Sequence, residues 1–299
     1  MGARFGEVMT AMVTPFKTDF TLDLDATRKL VDHLIDHGTE GLIVCGTTGE
    51  SPTLSHEEKL QLFETVVDSV GDRATVIAGT GTNNTAESIT LTKEACERGV
   101  GACLVVTPYY SKPPQNGLLA HFRAVADAST VPLILYDIPG RTGRRIERET
   151  MVELAGHERI VGDKDAVGDA GETAMLRAEL DDAGHHDFEL ISGDDVLLLP
   201  HIAAGVDAII SVCSHLIGPQ IKQVFTAVAD GKIEEAQKVF TEQLPLMSTI
   251  MGLTASPIPV KAALNMIGVA VGPPRLPLVD ATDEEKATIR GALERAGLV

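Results

Sequence analysis

Short apolar runs rich in β-branched residues recur along the chain, at 8–13, 42–45, 75–78, 103–106, 133–136, 160–162, 188–191 and 208–212. Each reads as a buried strand, and together they predict eight. Between them lie segments of helical period, such as Leu30, Val31, Leu34 and Ile35 ahead of a terminating Gly38, or Leu60, Phe63, Val66, Val67 and Val70 ahead of Gly71. Ser55 and Glu58 have the spacing of a capping box at the start of the second of these, and Asn84 with Glu87 repeats a weaker version before a helix that ends at Gly99.

Strands alternating with helices call for parallel pairing through right-handed crossovers, and eight such units in roughly 220 residues match a (β/α)8 TIM barrel. A doubly wound open sheet with a second domain is the alternative, since periodicity does not show whether the first and last strands meet. Its dinucleotide fingerprint is lacking: the nearest stretch, Gly79-Thr-Gly-Thr-Asn-Asn84, has Asn at the third glycine position. Beyond Gly218 only helical patterns follow, at 221–228, 233–246 and 289–298. We therefore divide the chain into a catalytic barrel, 1–229, and a C-terminal helical domain, 230–299, whose turns fall at Ser256-Pro-Ile-Pro-Val-Lys261 and Pro273-Pro-Arg-Leu-Pro277.

Composition narrows the functional classes. The chain has 299 residues, 44% of them hydrophobic, enough to bury a large core. Forty-three acids against 25 bases give a formal charge of −18, which repels nucleic acid and anionic lipid, so neither is an expected partner. An anionic substrate would need a locally cationic pocket. Cys45, Cys96, Cys103 and Cys213 are widely spaced and predict a reducing, cytoplasmic setting without disulfides. The N-terminus, Met1-Gly-Ala-Arg-Phe-Gly6, lacks the apolar core of a signal peptide and the Ser or Thr of a myristoylation motif. No apolar run is long enough to span a membrane. The nine histidines contain no H-E-x-x-H and the chain no G-x-S-x-G, so metal and serine-hydrolase chemistries are not expected.

In a barrel of this kind chemistry gathers at the carboxyl ends of the strands. Those ends read Gly46-Thr-Thr-Gly-Glu-Ser51, Thr107-Pro-Tyr-Tyr110, Tyr136-Asp-Ile-Pro-Gly-Arg-Thr-Gly143, Gly162-Asp-Lys-Asp165 and Ser192-Gly-Asp-Asp195. Lys164 has two readings: an ordinary loop lysine between two solvated acids, or an amine kept neutral by desolvation and able to attack a ketone. Asp163 and Asp165 would point away from it by the period of a strand. The 46–51 loop offers hydroxyls and free N–H groups to an anion without the ending of a P-loop, which suits a carboxylate, or it is a plain tight turn. Tyr136 and Tyr110 offer phenols for proton transfer, or simply favour strand ends. Arg141 offers a bidentate grip on a carboxylate, or is a solvated loop arginine beside Arg144 and Arg145.

Taken in order, GTTGES, VTPYY, YDIPGRTG, the strand lysine and SGDD resemble the dihydrodipicolinate synthase and N-acetylneuraminate lyase superfamily of pyruvate-dependent class I aldolases, from Val13-Thr-Pro15 to Pro257-Ile-Pro-Val-Lys261. The resemblance implies that Lys164 forms a Schiff base with pyruvate, that Thr47 and Thr48 hold the pyruvate carboxylate, and that Tyr136 relays protons through Thr47. It further implies that Tyr110 completes the relay from a neighbouring subunit of a homotetramer and that Gly193 and Ile210 shape the pocket. The Arg141-Thr-Gly143 ending is similar to the synthase branch, in which Arg141 would bind L-aspartate 4-semialdehyde; no metal or organic cofactor is implied. A 2-keto-3-deoxy sugar acid as substrate and a catalytically silent paralogue are the alternatives. Ser51, His56, Lys59, Asn83, Glu87 and Tyr109 are similar to a lysine-responsive effector set, but Lys59 stands where many members carry His, and its charge would repel a lysine effector. Asp137 and Asp165 replace the Asn and Glu common in the family.

Overall fold

The structure, a computed structural model, describes residues 3–299; Met1 and Gly2, on which the reading of the N-terminus partly rests, lie outside them. Every expected strand is present: β1 (Val8–Ala11), β2 (Gly41–Val44), β3 (Thr75–Gly79), β4 (Ala102–Val106), β5 (Leu133–Asp137), β6 (Ile160–Asp165), β7 (Glu189–Ser192) and β8 (Ala208–Ser211). All pair in parallel, and β1 meets β8 through Val8 opposite Ile209, Met9 opposite Ile210 and Thr10 opposite Ser211. That pairing closes the barrel and excludes the open sheet. Because both faces of each strand are covered, the strands are short, apolar and almost wholly buried, as parallel sheets require.

The helices are α1 (Leu24–Asp36), α2 (His56–Val70), α3 (Thr85–Glu97), α4 (Gln115–Asp127), α5 (Pro139–Thr142), α6 (Arg148–Ala155), α7 (Ala170–Asp182), α8 (Leu198–Ala203), α9 (Ser214–Ala229), α10 (Ile233–Gly252), α11 (Ile258–Met266) and α12 (Asp283–Arg295). The capping box at Ser55 and Glu58 is complete in both directions. Asn84 caps α3 by accepting from the Ala86 N–H.

Two details differ from the sequence reading. The stretch from Ser256 to Lys261 does not only break a helix: Pro257 precedes α11 and Pro259 lies in its first turn, where a missing N–H leaves no helical bond unmade. The sixth strand does not stop at Gly162 but runs on to Asp165, with all six residues buried. Asp163, Lys164 and Asp165 are 2%, 6% and 3% exposed, so the reading of Lys164 as a loop lysine between solvated acids is wrong.

Helix α10 packs on α9, α11 and α12, and α12 also packs on α11; their buried side chains, including Ile250, Leu264, Ile289 and Leu293, continue the barrel's own apolar core. A buried ion pair also joins the two regions: the Lys261 ammonium on α11 lies 2.8 Å from Glu50 in the loop after β2.

Candidate active site

Strand register sets the site. In β5 and β6, Tyr136 lies opposite Lys164, so a period of two brings both side chains to one face of the sheet. The Lys164 Nζ stands 4.2 Å from the centre of the Tyr136 ring. Thr107, just after β4, holds Tyr136 by donating both its backbone N–H and its hydroxyl to the Tyr136 carbonyl, each at 2.9 Å. Asp163 and Asp165 face the helix layer, as the strand period requires: Asp165 accepts from the Thr173 hydroxyl on α7 at 2.6 Å and from the Val167 N–H at 2.9 Å.

Burial dominates the electrostatics. It brings the Lys164 pKa down to about 8, with the Arg141 charge pulling the same way and the Asp195 carboxylate opposing both. It lifts Tyr136 to about 12, against the nearby Arg141 charge and Thr47 hydroxyl, so the phenol keeps its proton at neutral pH. Behind the strands burial also raises Asp137, to about 7, and Asp163, and each carboxyl has an oxygen without a hydrogen-bond partner.

A cavity of about 220 Å³ opens beside Tyr136. Thr47, Ser51, Lys59, Tyr109, Tyr136 and Arg141 all line it, and among the described residues no carboxylate does. The locally cationic pocket that the acidic surface demands is therefore present. The loop behind Thr47 is bracketed by two non-glycine residues in the left-handed region, Cys45 at φ 58° and Glu50 at φ 57°. Backbone of this kind persists only where its surroundings fix it.

The other expected residues are distributed as follows. Thr48 is buried in the same loop, and Ile210 is buried in β8. Gly193 follows β7 so closely that a Cβ there would stand 3.1 Å from Lys164 Cε. Tyr110 does not join the cavity: it is 89% exposed on a loop where its own φ is 67° and that of Lys112 is 46°. His56 turns to Glu94 on α3, at 2.6 Å, while Asn83 and Glu87 lie exposed around the start of α3. The effector set is thus split, with Ser51, Lys59 and Tyr109 at the cavity and the rest outside its lining.

Asp195 is the functional residue to which the sequence assigned no role. Fully buried, it accepts from the Ser211 hydroxyl and from the Val212 and Cys213 N–H groups, pinning the end of β8 while its charge acts on Lys164. Its signal was the SGDD run at the end of the seventh strand.

Residues 4–296 match the model of the dihydrodipicolinate synthetase family. The chain belongs to that family. A 4-hydroxy-tetrahydrodipicolinate synthase from Desulforudis audaxviator is 48% identical over 299 residues, the full length of both chains. A dihydrodipicolinate synthase structure from Bacillus anthracis superposes with a TM-score of 0.93 at 44% identity, covering 98% of this chain and 99% of that one. The chloride-inhibited synthase from Acinetobacter baumannii, determined with pyruvate, matches at a TM-score of 0.93 and 36% identity over 98% of this chain and 99% of that one. Family membership and barrel fold both agree with the resemblance carried by the strand-end motifs.

Proposed function

We propose that the protein is a 4-hydroxy-tetrahydrodipicolinate synthase, a lyase that condenses pyruvate with L-aspartate 4-semialdehyde on the diaminopimelate route to lysine. The observation that carries the reading is the buried Lys164 amine on the Tyr136 ring, beside a cationic cavity, in a chain of this family. A pKa near 8 leaves about half of the amines neutral at pH 8, against about one in 300 for an unperturbed lysine.

In this mechanism the neutral Lys164 amine attacks the ketone carbon of pyruvate and water leaves as the imine forms. Backbone N–H groups and hydroxyls of Thr47 and Thr48 hold the pyruvate carboxylate. Loss of a methyl proton gives an enamine, with Tyr136 moving protons through Thr47 and Tyr110 of a neighbouring subunit completing the relay in a homotetramer. Arg141 holds the semialdehyde carboxylate while the enamine carbon attacks the aldehyde, and the product amine then closes the ring and displaces Lys164. Gly193 and Ile210 shape the pocket. The chemistry needs no metal or organic cofactor. Fixing the enamine beside the aldehyde supplies up to roughly 7 to 11 kcal/mol of the barrier reduction.

The barrel, 1–229, carries these groups, and the helical domain, 230–299, supports them. Cytoplasmic operation agrees with the buried thiols of Cys45, Cys103 and Cys213, which pack as small core residues; among the described residues no helix is long and apolar enough to cross a membrane. The test offers pyruvate with either the semialdehyde or a sugar-derived aldehyde and follows which is consumed. Consumption of the semialdehyde is expected; preference for the sugar aldehyde would remove the role given to Arg141, and turnover of neither would point to a silent paralogue.

A further inference from the structure

The loop that faces the pyruvate carboxylate in the reading above is held from behind by the helical domain. Glu50 lies in that loop with its side chain wholly buried, and Lys261 on α11 reaches it with a side chain 1% exposed. The ammonium makes three hydrogen bonds, to Glu50 Oε1 at 2.8 Å, to the Thr14 carbonyl at 3.0 Å and to the Pro273 carbonyl at 2.8 Å. The second oxygen of Glu50 accepts from the Arg275 N–H at 2.7 Å. Thr14 returns to the same loop, donating its hydroxyl to the Gly49 carbonyl at 2.6 Å. Phe16 closes the arrangement, its ring centre 4.5 Å from Lys261 Nζ and 4.2 Å from the Arg275 guanidinium carbon. Arg275 then grips the next turn through the Thr53 carbonyl at 2.9 Å and both oxygens of Glu58.

A buried ion pair is a poor way to gain stability, because desolvating both charges offsets most of their attraction and an apolar pair of similar volume often does as well. What it supplies is a single geometry. This loop needs one: Glu50 sits at φ 57° and Cys45 at φ 58°, and its carbonyls and N–H groups turn tightly, with the Glu50 N–H donating to the Thr47 carbonyl at 3.0 Å. Fixing Glu50 therefore fixes Thr47, three residues earlier, at the wall of the cavity.

We propose that Glu50 and Lys261 are positioning residues for substrate binding: the helical domain, through this buried pair, sets the conformation in which Thr47 and Thr48 receive the carboxylate of the keto acid. The inference rests on the reading of the loop as the pyruvate carboxylate site. It gives the C-terminal helices a part in the chemistry without any contact to the substrate.

The test compares Glu50→Gln, Lys261→Met and the double variant Glu50→Gln/Lys261→Met with the native chain, varying pyruvate at saturating semialdehyde and recording thermal midpoints in parallel. Ile289→Ala, a core truncation in α12 away from the loop, controls for general weakening of the helical domain. Lys261→Met should raise the KM for pyruvate by about tenfold to a hundredfold, the loss that accompanies a misplacement of about 1 Å, while kcat falls less. The double variant no longer strands a buried charge, so its thermal midpoint should recover towards that of the native chain while its pyruvate KM stays raised. Ile289→Ala should lose thermal stability at an unchanged KM. If Lys261→Met fails to fold, the double variant and Glu50→Gln carry the measurement. A pyruvate KM in the double variant within about twofold of the native value would leave the pair a purely structural contact and overturn the proposal. A native chain that does not condense pyruvate at all would instead overturn the assignment of the reaction.

Discussion

The charge state of Lys164 is the most exacting consequence of this site. Burial, with the Asp195 charge opposing it and the Arg141 charge adding to it, takes its pKa from 10.5 to about 8, which corresponds to about 3 kcal/mol of preference for the neutral amine over that in water. The rate of imine formation should therefore rise with pH through a midpoint near 8 and level off above it, since only the unprotonated amine attacks pyruvate. Two substitutions move that midpoint in opposite directions. Arg141→Gln removes a cation that disfavours the ammonium, so the midpoint rises; Asp195→Asn removes the anion that favours it, so the midpoint falls. A nearby charge moves the pKa of a buried group by about one unit or more, so each shift should be on the order of one unit. The assay mixes protein and pyruvate between about pH 6 and about pH 10, quenches with borohydride at short times and counts adduct by intact mass; the midpoint is independent of any loss in maximal rate. A midpoint above about 10, or shifts of the same sign in both variants, would refute the argument that burial and these two charges set the nucleophile.

Other expectations follow from single contacts. Tyr136→Phe keeps the ring under Lys164 Nζ and removes the proton-carrying hydroxyl, so kcat should fall by about a hundredfold or more in a normally folded chain; a loss below about threefold would exclude the relay. Gly193→Ala places a Cβ 2.9 Å from Ala166 Cβ, 3.0 Å from the Asp165 carbonyl and 3.1 Å from Lys164 Cε, and should slow imine formation by about tenfold; an unchanged rate in trapping experiments would show that the pocket yields freely there. Asp137, buried and raised from 3.8 to about 7, binds more proton in the folded than in the unfolded chain between those values, so its contribution to stability is lost as pH rises from about 4 to about 7. Asp137→Asn should flatten that part of the pH–stability curve in urea titrations, and parallel curves for the two proteins would contradict the assignment.

The barrel was legible because parallel strands buried on both faces leave short, β-branched runs, and those runs located every strand. Legibility failed where polarity and burial part company. Asp163, Lys164 and Asp165 look like the start of a loop, yet they complete β6, because Lys164 turns to the Tyr136 side while Asp165 finds Thr173 and the Val167 N–H behind the strand. Pro257 and Pro259 look like breakers, yet Pro259 lies in the first turn of α11. At the site, Lys164, Tyr136, Thr47 and Arg141 could be found because each sits at a strand end or in the loop after it, whereas the bond between Glu50 and Lys261 spans 211 residues and leaves no periodic trace. Asp195 was visible as a residue and invisible as a role, since its charge matters only through the folded distance to Lys164. The exposed Tyr110 shows the opposite case, a motif residue that the fold of one chain leaves outside the cavity.

The central claim is that Lys164 is the covalent nucleophile, and intact mass after incubation with pyruvate and borohydride tests it most directly. The account predicts one pyruvyl-derived adduct per chain, mapped to Lys164, absent from Lys164→Ala and diminished when L-aspartate 4-semialdehyde is present to consume the enamine. An adduct that persists in Lys164→Ala, or full condensation activity in that variant, would contradict it.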